Sequence, residues 1–373
     1  MIQSIPFLVV CVAILLCATG YAENRPPAAE VSAATASVTD IQAAVDQLQG
    51  DGIVRVPAGR VQAIGTIHIT GGVSLIGAGR DETVLFRGPD NSDKPTAPIV
   101  EIQGANGKAS QIVGINFVGL QDPASKTSDN GITVLDAKDF RIAHCRFERF
   151  GFSAVYVRGN CRGVIDHCLF ANNFKKPINN LGYGVVVYGT GEWRDDLQPG
   201  SADSVFIEDS EFIGSRHAVA SNGGARYVFR HNRVHGNDNS QAVDCHGPGY
   251  GSKHGTQWIE VYDNLIEKPI GGSTAMVLRG GGGVVFDNTI KDYARGINLT
   301  LDFDKRIDWT RPYPIPEQIQ NMWCWNNTLK GEATVPVISK RSAEHIKPDR
   351  DYFSRPMPDY TPFRYPHPLA AQE

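Results

Sequence analysis

Seven short runs decide how this chain folds: GITVLD (131–136), AVYVRG (154–159), GVVVYG (184–189), AVASNG (218–223), AVDCHG (242–247), AMVLRG (275–280) and GINLTL (296–301). Each opens on Gly or Ala and alternates apolar with other side chains, and all but the last reach a Gly or Asp turn. Alternation of this length marks a short strand with one buried face. Around these runs a corner recurs, a small or amide residue followed two positions later by a large apolar one. Its instances are Ile115-x-Phe117, Cys145-x-Phe147, Cys168-x-Phe170, Ser210-x-Phe212, Asn232-x-Val234, Asn264-x-Ile266, Asn288-x-Ile290 and Asn327-x-Leu329. Successive second anchors are 30, 23, 42, 22, 32, 24 and 39 residues apart, a basic unit of 22–24 with insertions. Periods of this size belong to solenoids, in which each repeat buries its apolar face only against its neighbours.

Upstream, Thr39-Asp40-Ile41-Gln42 has the form of a capping box, and Ile41, Ala44, Val45 and Leu48 recur at helical spacing. The pattern predicts a short helix over Thr39–Gln49, followed by the strands IVRVPAG, TIHIT, GVSLIGAG and TVLFRG. The opening IQAAVDQLQGDGIVRVPAG with GVSLIGAG, and the repeated strand, Gly turn and Asn-x-apolar corner, resemble the cap and rungs of the pectate-lyase/pectin-lyase-like superfamily. The resemblance implies an all-β chain, a right-handed parallel β-helix with a short N-terminal capping helix and an extended C-terminal tail. The expected organisation is a signal peptide (1–22), a linker (23–38), the β-helix (39–330) and a capping tail (331–373). It fixes no substrate, because the superfamily includes lyases, hydrolases, epimerases and non-enzymatic adhesins. Stacked corners are expected to place Asn232, Asn264 and Asn288 in an amide ladder that satisfies turn backbone.

Composition narrows the classes. The 373 residues include 39 Gly and 22 Pro, and a hydrophobic fraction of 41% is too high for a disordered chain. A net charge of −4 argues against a nucleic-acid partner, whose binding rests on phosphate neutralisation. Residues 1–22 carry no charged side chain and end Gly20-Tyr21-Ala22, as a secretory signal does, so a secreted or periplasmic protein is expected. No later segment is long and apolar enough for a membrane helix, and a monomer is expected. The five remaining cysteines (Cys145, Cys161, Cys168, Cys245, Cys324) are odd in number, lack a CxxC pair and read as small buried hydrophobes, with a Cys145–Cys168 bridge as the main exception.

Period-two alternation sorts each body run into inward and outward positions. The outward pairs are Thr133/Leu135, Tyr156/Arg158, Val186/Tyr188, Ala220/Asn222, Asp244/His246, Val277/Arg279 and Asn298/Thr300. A solvated face would be filled with Thr, Ser, Lys and Glu. This one concentrates Arg, Tyr, His and Asn, which suits an acidic polysaccharide: Arg forks grip carboxylates, Tyr packs on sugar faces, and His or Asn bonds hydroxyls. The insertions containing GTGEWRDDLQPGSAD and GPGYGSKHGTQ leave beside Tyr188 and His246 and are expected to wall this stripe.

For β-elimination on a uronate, His246 is the candidate base, Asp244 its orienting partner, Arg279 or Arg158 the carboxylate clamp, and Tyr188 or Lys253 the acid. Tyr156, Arg158, Asn222, Asn298, Lys253 and His254 are candidate substrate contacts. Arg216 is ambiguous, and His217, inward by parity, reads equally as a corner histidine. No cofactor is expected. Many lyases of this fold use Ca2+, but the stripe holds only Asp244, with Asp195-Asp196 and Asp302/Asp304 in reserve. A glycoside hydrolase would need two carboxylates roughly 5–10 Å apart, which Asp244 and Asp302 could supply. The Asn-Thr-Asp, Asp-Asp and Gly-His-Gly elements of polygalacturonases are not present as a set, nor are the Asn/Glu/Arg motifs of the chondroitinase-B and alginate-lyase branch. A polysaccharide lyase is the first expectation; a hydrolase of the same fold and a non-catalytic carbohydrate binder are the alternatives.

Overall fold

The computed structural model describes residues 28–88, 97–104, 108–120, 129–174, 181–236, 241–249, 252–268, 273–302, 315 and 318–371. The signal segment, Lys175, Lys176 and Asp304 lie outside them. Among the described residues, the strands form three sheets of twelve, ten and eleven strands, parallel except at one terminal pairing, with chain order advancing by one rung at each step. This is a parallel β-helix, and right-handed crossovers are the rule for parallel strands. The body runs of the sequence become the ten-stranded sheet. The corner repeats become the eleven-stranded sheet, and the twelve-stranded sheet closes the coil.

The helix spans Val38–Gln47, and its cap is Ser37 in place of the expected Thr39; Ser37 Oγ accepts from the Asp40 amide at 3.1 Å. Ser37 keeps an extended backbone (φ −72°, ψ 150°), whereas Thr39 already lies in the first turn. Ile41, Ala44 and Val45 seal the end of the coil. Glu30–Ser32, within the expected linker, pairs with Asp51–Val56 and adds a strand to the first rung.

Identical positions stack from rung to rung. Phe117, Phe147, Phe170 and Phe212 form one continuous pile with centroid separations of 5.3, 5.1 and 4.5 Å. The amide ladder is present and extends to Asn327. Asn264 Nδ2 donates to Asn288 Oδ1 at 2.9 Å and to the carbonyls of Phe229 and Tyr262, while its Oδ1 receives Asn232 at 3.0 and 3.2 Å. The five cysteines are free thiols buried inside; Cys145 and Cys168 donate to backbone carbonyls and form no bridge.

The C-terminal segment does more than cap the end. Val337–Ile338 extends the ten-stranded sheet beyond Arg295–Leu299, and Tyr352–Phe353 extends the twelve-stranded sheet beyond Ile319–Trp325. The chain then turns back along the outside of the coil. Met357, Tyr360, Phe363 and Leu369 cover an apolar strip that includes Phe206, Val228, Tyr262 and Phe286. A buried pair holds it there: Arg230 meets Glu208 at 2.6 Å and donates to the carbonyls of Phe363 and Arg364, while Glu208 accepts the His367 amide. Trp323 stacks on Phe353 at 3.9 Å, so the Trp323–Trp325 strand packs under this segment.

The ladder yields a first prediction. Asn264→Ala strands buried donors and acceptors on three rungs and should cost about 2–4 kcal/mol in urea unfolding. A loss below about 0.5 kcal/mol would show that the column does not hold the corner.

Candidate functional site

The predicted outward columns exist. Strand pairing sets Leu135, Arg158, Tyr188 and Asn222 side by side, and Thr133, Tyr156, Val186, Ala220, Asp244, Val277 and Asn298 in the next column. His246, Arg279 and Thr300 continue the first column, each one residue beyond its strand's last paired position. Their amides bond the preceding rung, to the carbonyls of Ser221, Cys245 and Leu278, so their main chains are fixed.

The centre of the site is Asp244, which faces outward yet is buried. Arg279 Nη2 reaches both its oxygens, Oδ1 at 2.5 Å and Oδ2 at 2.6 Å. His246 Nε2 lies 3.0 Å from Oδ2, and His217 Nε2 lies 3.3 Å from the same oxygen. Asp302 completes the cluster: it accepts from Arg279 Nη1 at 3.2 Å and from the Gly247 amide at 3.0 Å, and stands 3.6 Å from His246 Nδ1. Arg279 thus spans two carboxylates, and His246 has one facing each ring nitrogen.

Burial alone would raise the Asp244 carboxyl. His217, the His246 hydrogen bond and Arg279 reverse that and hold it far below the usual carboxylate range. Burial would lower His246, but the Asp244 hydrogen bond and the nearby Asp302 carboxylate win and raise it despite Arg279. His217 shows the opposite balance: burial, aided by Arg216, pushes it down to about 4 against the pull of Asp244. Its Nδ1 is 3.2 Å from the Gln241 carbonyl. Two histidines on one carboxylate are therefore shifted in opposite directions, the pattern of a site that moves protons.

A concavity of roughly 650 Å3 opens over the cluster, bounded by Arg216 and His217 on one side and by Ser339, Lys340 and Arg341 on the other. Arg216 Nη1 donates to the Tyr183 hydroxyl at 3.1 Å, and Tyr183 packs 5.3 Å from the His217 ring. Four cationic side chains (Arg216, Arg279, Lys340, Arg341) and two carboxylates (Asp244, Asp302) line the space.

Several sequence expectations are redistributed. Arg279, read as a uronate clamp, is committed to Asp244 and Asp302. Asn298 lines the concavity, but its amide bonds Ser339 Oγ at 3.1 Å and so anchors the C-terminal segment. Lys253 and His254 both turn to Glu192, at 3.4 and 2.7 Å. The insertions are therefore joined to each other, and Trp193 Nε1 adds a bond to the Gly255 carbonyl. Among the described residues, neither insertion lines the concavity over Asp244; its wall comes from Arg216–His217 and the C-terminal segment. Asp196 pairs with Arg194, and Asp302 belongs to the Arg279 cluster. Farther along the face, Tyr188 lies over Gly223, where a Cβ would come within 2.4 Å of the ring and φ is +59°. Tyr156 packs edge-on against Phe152, Asn222 accepts from the Gly223 amide, and Arg158 is exposed. Sequence reasoning missed Gln241, Lys340 and Arg341. The last two lie beyond the final repeat, where no register exists to place them.

No family model matches the sequence, and no curated protein matches it. Among solved structures, the chain is similar to ORF18 of Geobacillus virus E2 (13% identity, 80% of this chain and 55% of that one, TM-score 0.48). It is also similar to an alginate lyase from Paenibacillus sp. str. FPU-7 (14%, 72% and 97%, 0.45) and to the Yersinia enterocolitica family 28 exopolygalacturonase (14%, 82% and 66%, 0.47). The chain spans about half the length of the viral protein. At these values the likeness concerns the fold. On its own three-sheet topology, the chain is a parallel β-helix.

Proposed function

We propose that this is an exported carbohydrate-active enzyme, a lyase that cleaves an acidic, uronate-containing polysaccharide by β-elimination on the outer face of the ten-stranded sheet. One observation carries the reading: Asp244, Arg279 and Asp302, the side chains that engage His246, line a groove whose rim is cationic. Elimination needs the C6 carboxylate neutralised, the C5 proton removed and the leaving oxygen protonated. Arg216, Lys340 and Arg341 are the cations placed to meet a substrate carboxylate, since Arg279 already serves two aspartates.

His246 is the proton acceptor. Its two carboxylates make the neutral ring a stronger base than free imidazole, and they stabilise the imidazolium that forms. Asp244 and Arg279 are positioning residues. As the C4–O bond breaks, the imidazolium formed by taking the C5 proton returns that proton to the departing oxygen, because Tyr188, two rungs or about 10 Å along the same column, is too far from C4. Arg158, Tyr156 and Asn222 extend the face for flanking sugars. Hydrolysis fits less well. It requires one carboxyl that keeps a proton, whereas Asp244 and Asp302 both accept from the Arg279 guanidinium. The chain acts outside the cytoplasm, as a monomer and without a catalytic metal, in this reading.

Incubation with polygalacturonate, alginate and glycosaminoglycans, following unsaturated uronate absorbance together with reducing ends, tests the reaction. Both signals rising together are expected; reducing ends alone would mean hydrolysis, and neither would leave a binder. His246→Ala should abolish turnover while the melting temperature stays within a few degrees, and a fully active variant would remove His246 from the mechanism. Lys340→Ser with Arg341→Ser should raise KM several-fold, with kcat nearly unchanged and a weaker dependence on salt. Unchanged KM would place the substrate elsewhere.

The pH dependence has a definite sign. Because the carboxylates raise His246, its base form appears at higher pH than a free imidazole's, and the acidic limb of kcat/KM should be shifted upward accordingly. Asp244→Asn removes the main raising partner, so the His246 resonance in an NMR titration should move to lower pH. A shift upward, or none, would contradict the assigned network.

A further inference from the structure

A second cluster lies on another corner of the coil, between the twelve- and eleven-stranded sheets. There one residue per rung takes the left-handed conformation: His144 (φ 52°), His167 (52°), Asp209 (50°) and His231 (54°). Pairing of Arg146 with Leu169, Leu169 with Glu211 and Glu211 with Arg233 places these four in a single column. They face a concavity of roughly 650 Å3 that Arg80, Glu211 and Arg233 also line.

The His144 and His167 rings are near-parallel, 4.9 Å apart at 27°. Beneath them Asp166 is fully buried and fixed by Arg141, whose Nε and Nη2 donate to its two oxygens at 3.0 and 2.9 Å. Asp166 Oδ2 also lies 3.0 Å from His167 Nδ1. A carboxylate at that distance fixes the proton on Nδ1 and leaves Nε2 as the lone-pair nitrogen. An imidazole oriented through its second nitrogen by a carboxylate is the usual arrangement of metal-bound histidine. One ligand atom each from His144, Asp166 and His167 falls within a 4.8 Å circle. Both Asp166 oxygens are engaged by Arg141, so the carboxylate orients and the two imidazoles ligate.

The position also has a structural rationale. The asparagine column that ties the later rungs begins at Asn232. At the preceding rungs Ser210 still links Cys168 to Asn232, its hydroxyl accepting the Cys168 amide at 3.1 Å and its own amide donating to Asn232 Oδ1 at 3.0 Å, but Cys145 and Cys168 carry no side-chain amide to continue the ladder. His144 and His167 immediately precede these two cysteines. An ion bridging His144 and His167 would fasten two turns where the ladder is missing.

We propose that His144 and His167 bind one divalent transition-metal ion of the Zn2+ or Cu2+ type across consecutive rungs, with Asp166 as the carboxylate that orients His167. Nitrogen donors of this kind select such ions over Ca2+ or Mg2+. Asp209 and Glu211 supply negative charge nearby, against Arg80 and Arg233.

The test is calorimetric titration of the untagged full chain with ZnCl2 and with CuCl2, alongside His144→Asn, His167→Asn and His231→Asn. Asparagine tolerates the left-handed backbone, so the corner is retained without the imidazole. One ion per chain, a raised melting temperature on loading and affinity that falls at pH 5.5 are expected for the unaltered protein. Either His144→Asn or His167→Asn should weaken binding by about tenfold or more, while His231→Asn leaves it unchanged. Electron paramagnetic resonance of the Cu2+ form should report two imidazole nitrogens, a readout that does not depend on the variants folding. Absence of saturable binding, equal affinity in all variants, or fewer than two nitrogens would overturn the site.

Discussion

The structure depends on register: each strand hydrogen-bonds to its equivalent one rung away, with the same position above the same position for most of the coil. That constraint turns a linear repeat into columns. It piles Phe117, Phe147, Phe170 and Phe212 inside the coil and threads Asn232, Asn264, Asn288 and Asn327 along one corner. It lines up Arg158, Tyr188 and Asn222 with His246 and Arg279 on the outside. Insertions are tolerated because they leave at turns, where no column is broken. A slip of one residue in any strand would exchange the core for the functional face.

On that frame the charge cluster is costly to build and hard to dismantle. Asp244 is taken almost entirely out of water, which is unfavourable unless its oxygens are fully engaged. Arg279, His246 and His217 engage them, and Asp302 shares the arginine, so the two carboxylates and their cations form one unit. What the unit gains is orientation. The His246 ring is held by a carboxylate near each nitrogen, on a main chain fixed at both its amide and its carbonyl. Such a ring loses little freedom when it takes a proton.

Much of this was legible in the sequence, because a solenoid writes its geometry as a period. Alternation alone placed Tyr156, Arg158, Tyr188, Asn222, Asp244, His246 and Arg279 on one face, and the corner repeat placed the asparagines. The misses fall where periodicity stops. His217 precedes its strand, in a turn where parity has no meaning, and its approach to Asp244 is visible only in three dimensions. Lys340 and Arg341 follow the last repeat. Glu192 lies 61 residues before Lys253 in another insertion, so nothing local announces that it takes up Lys253 and His254. Ser37 displaced Thr39 as the helix cap because two candidate caps stood two residues apart, a choice that backbone geometry makes. The role of Arg279 was misjudged for a related reason: its column was readable, but its two aspartate partners became adjacent only once rungs were stacked.

The account stands on a single claim, that an acidic sugar chain lies across the ten-stranded sheet with His246 beneath the scissile residue. A crystal structure of the His246→Ala protein soaked with a uronate oligosaccharide tests it most directly. The account predicts a uronate carboxylate beside Arg216 and Arg341 and the C5 carbon over the vacated imidazole position. An oligosaccharide bound on another face, or seated here with its carboxylates turned away from those arginines, would contradict it.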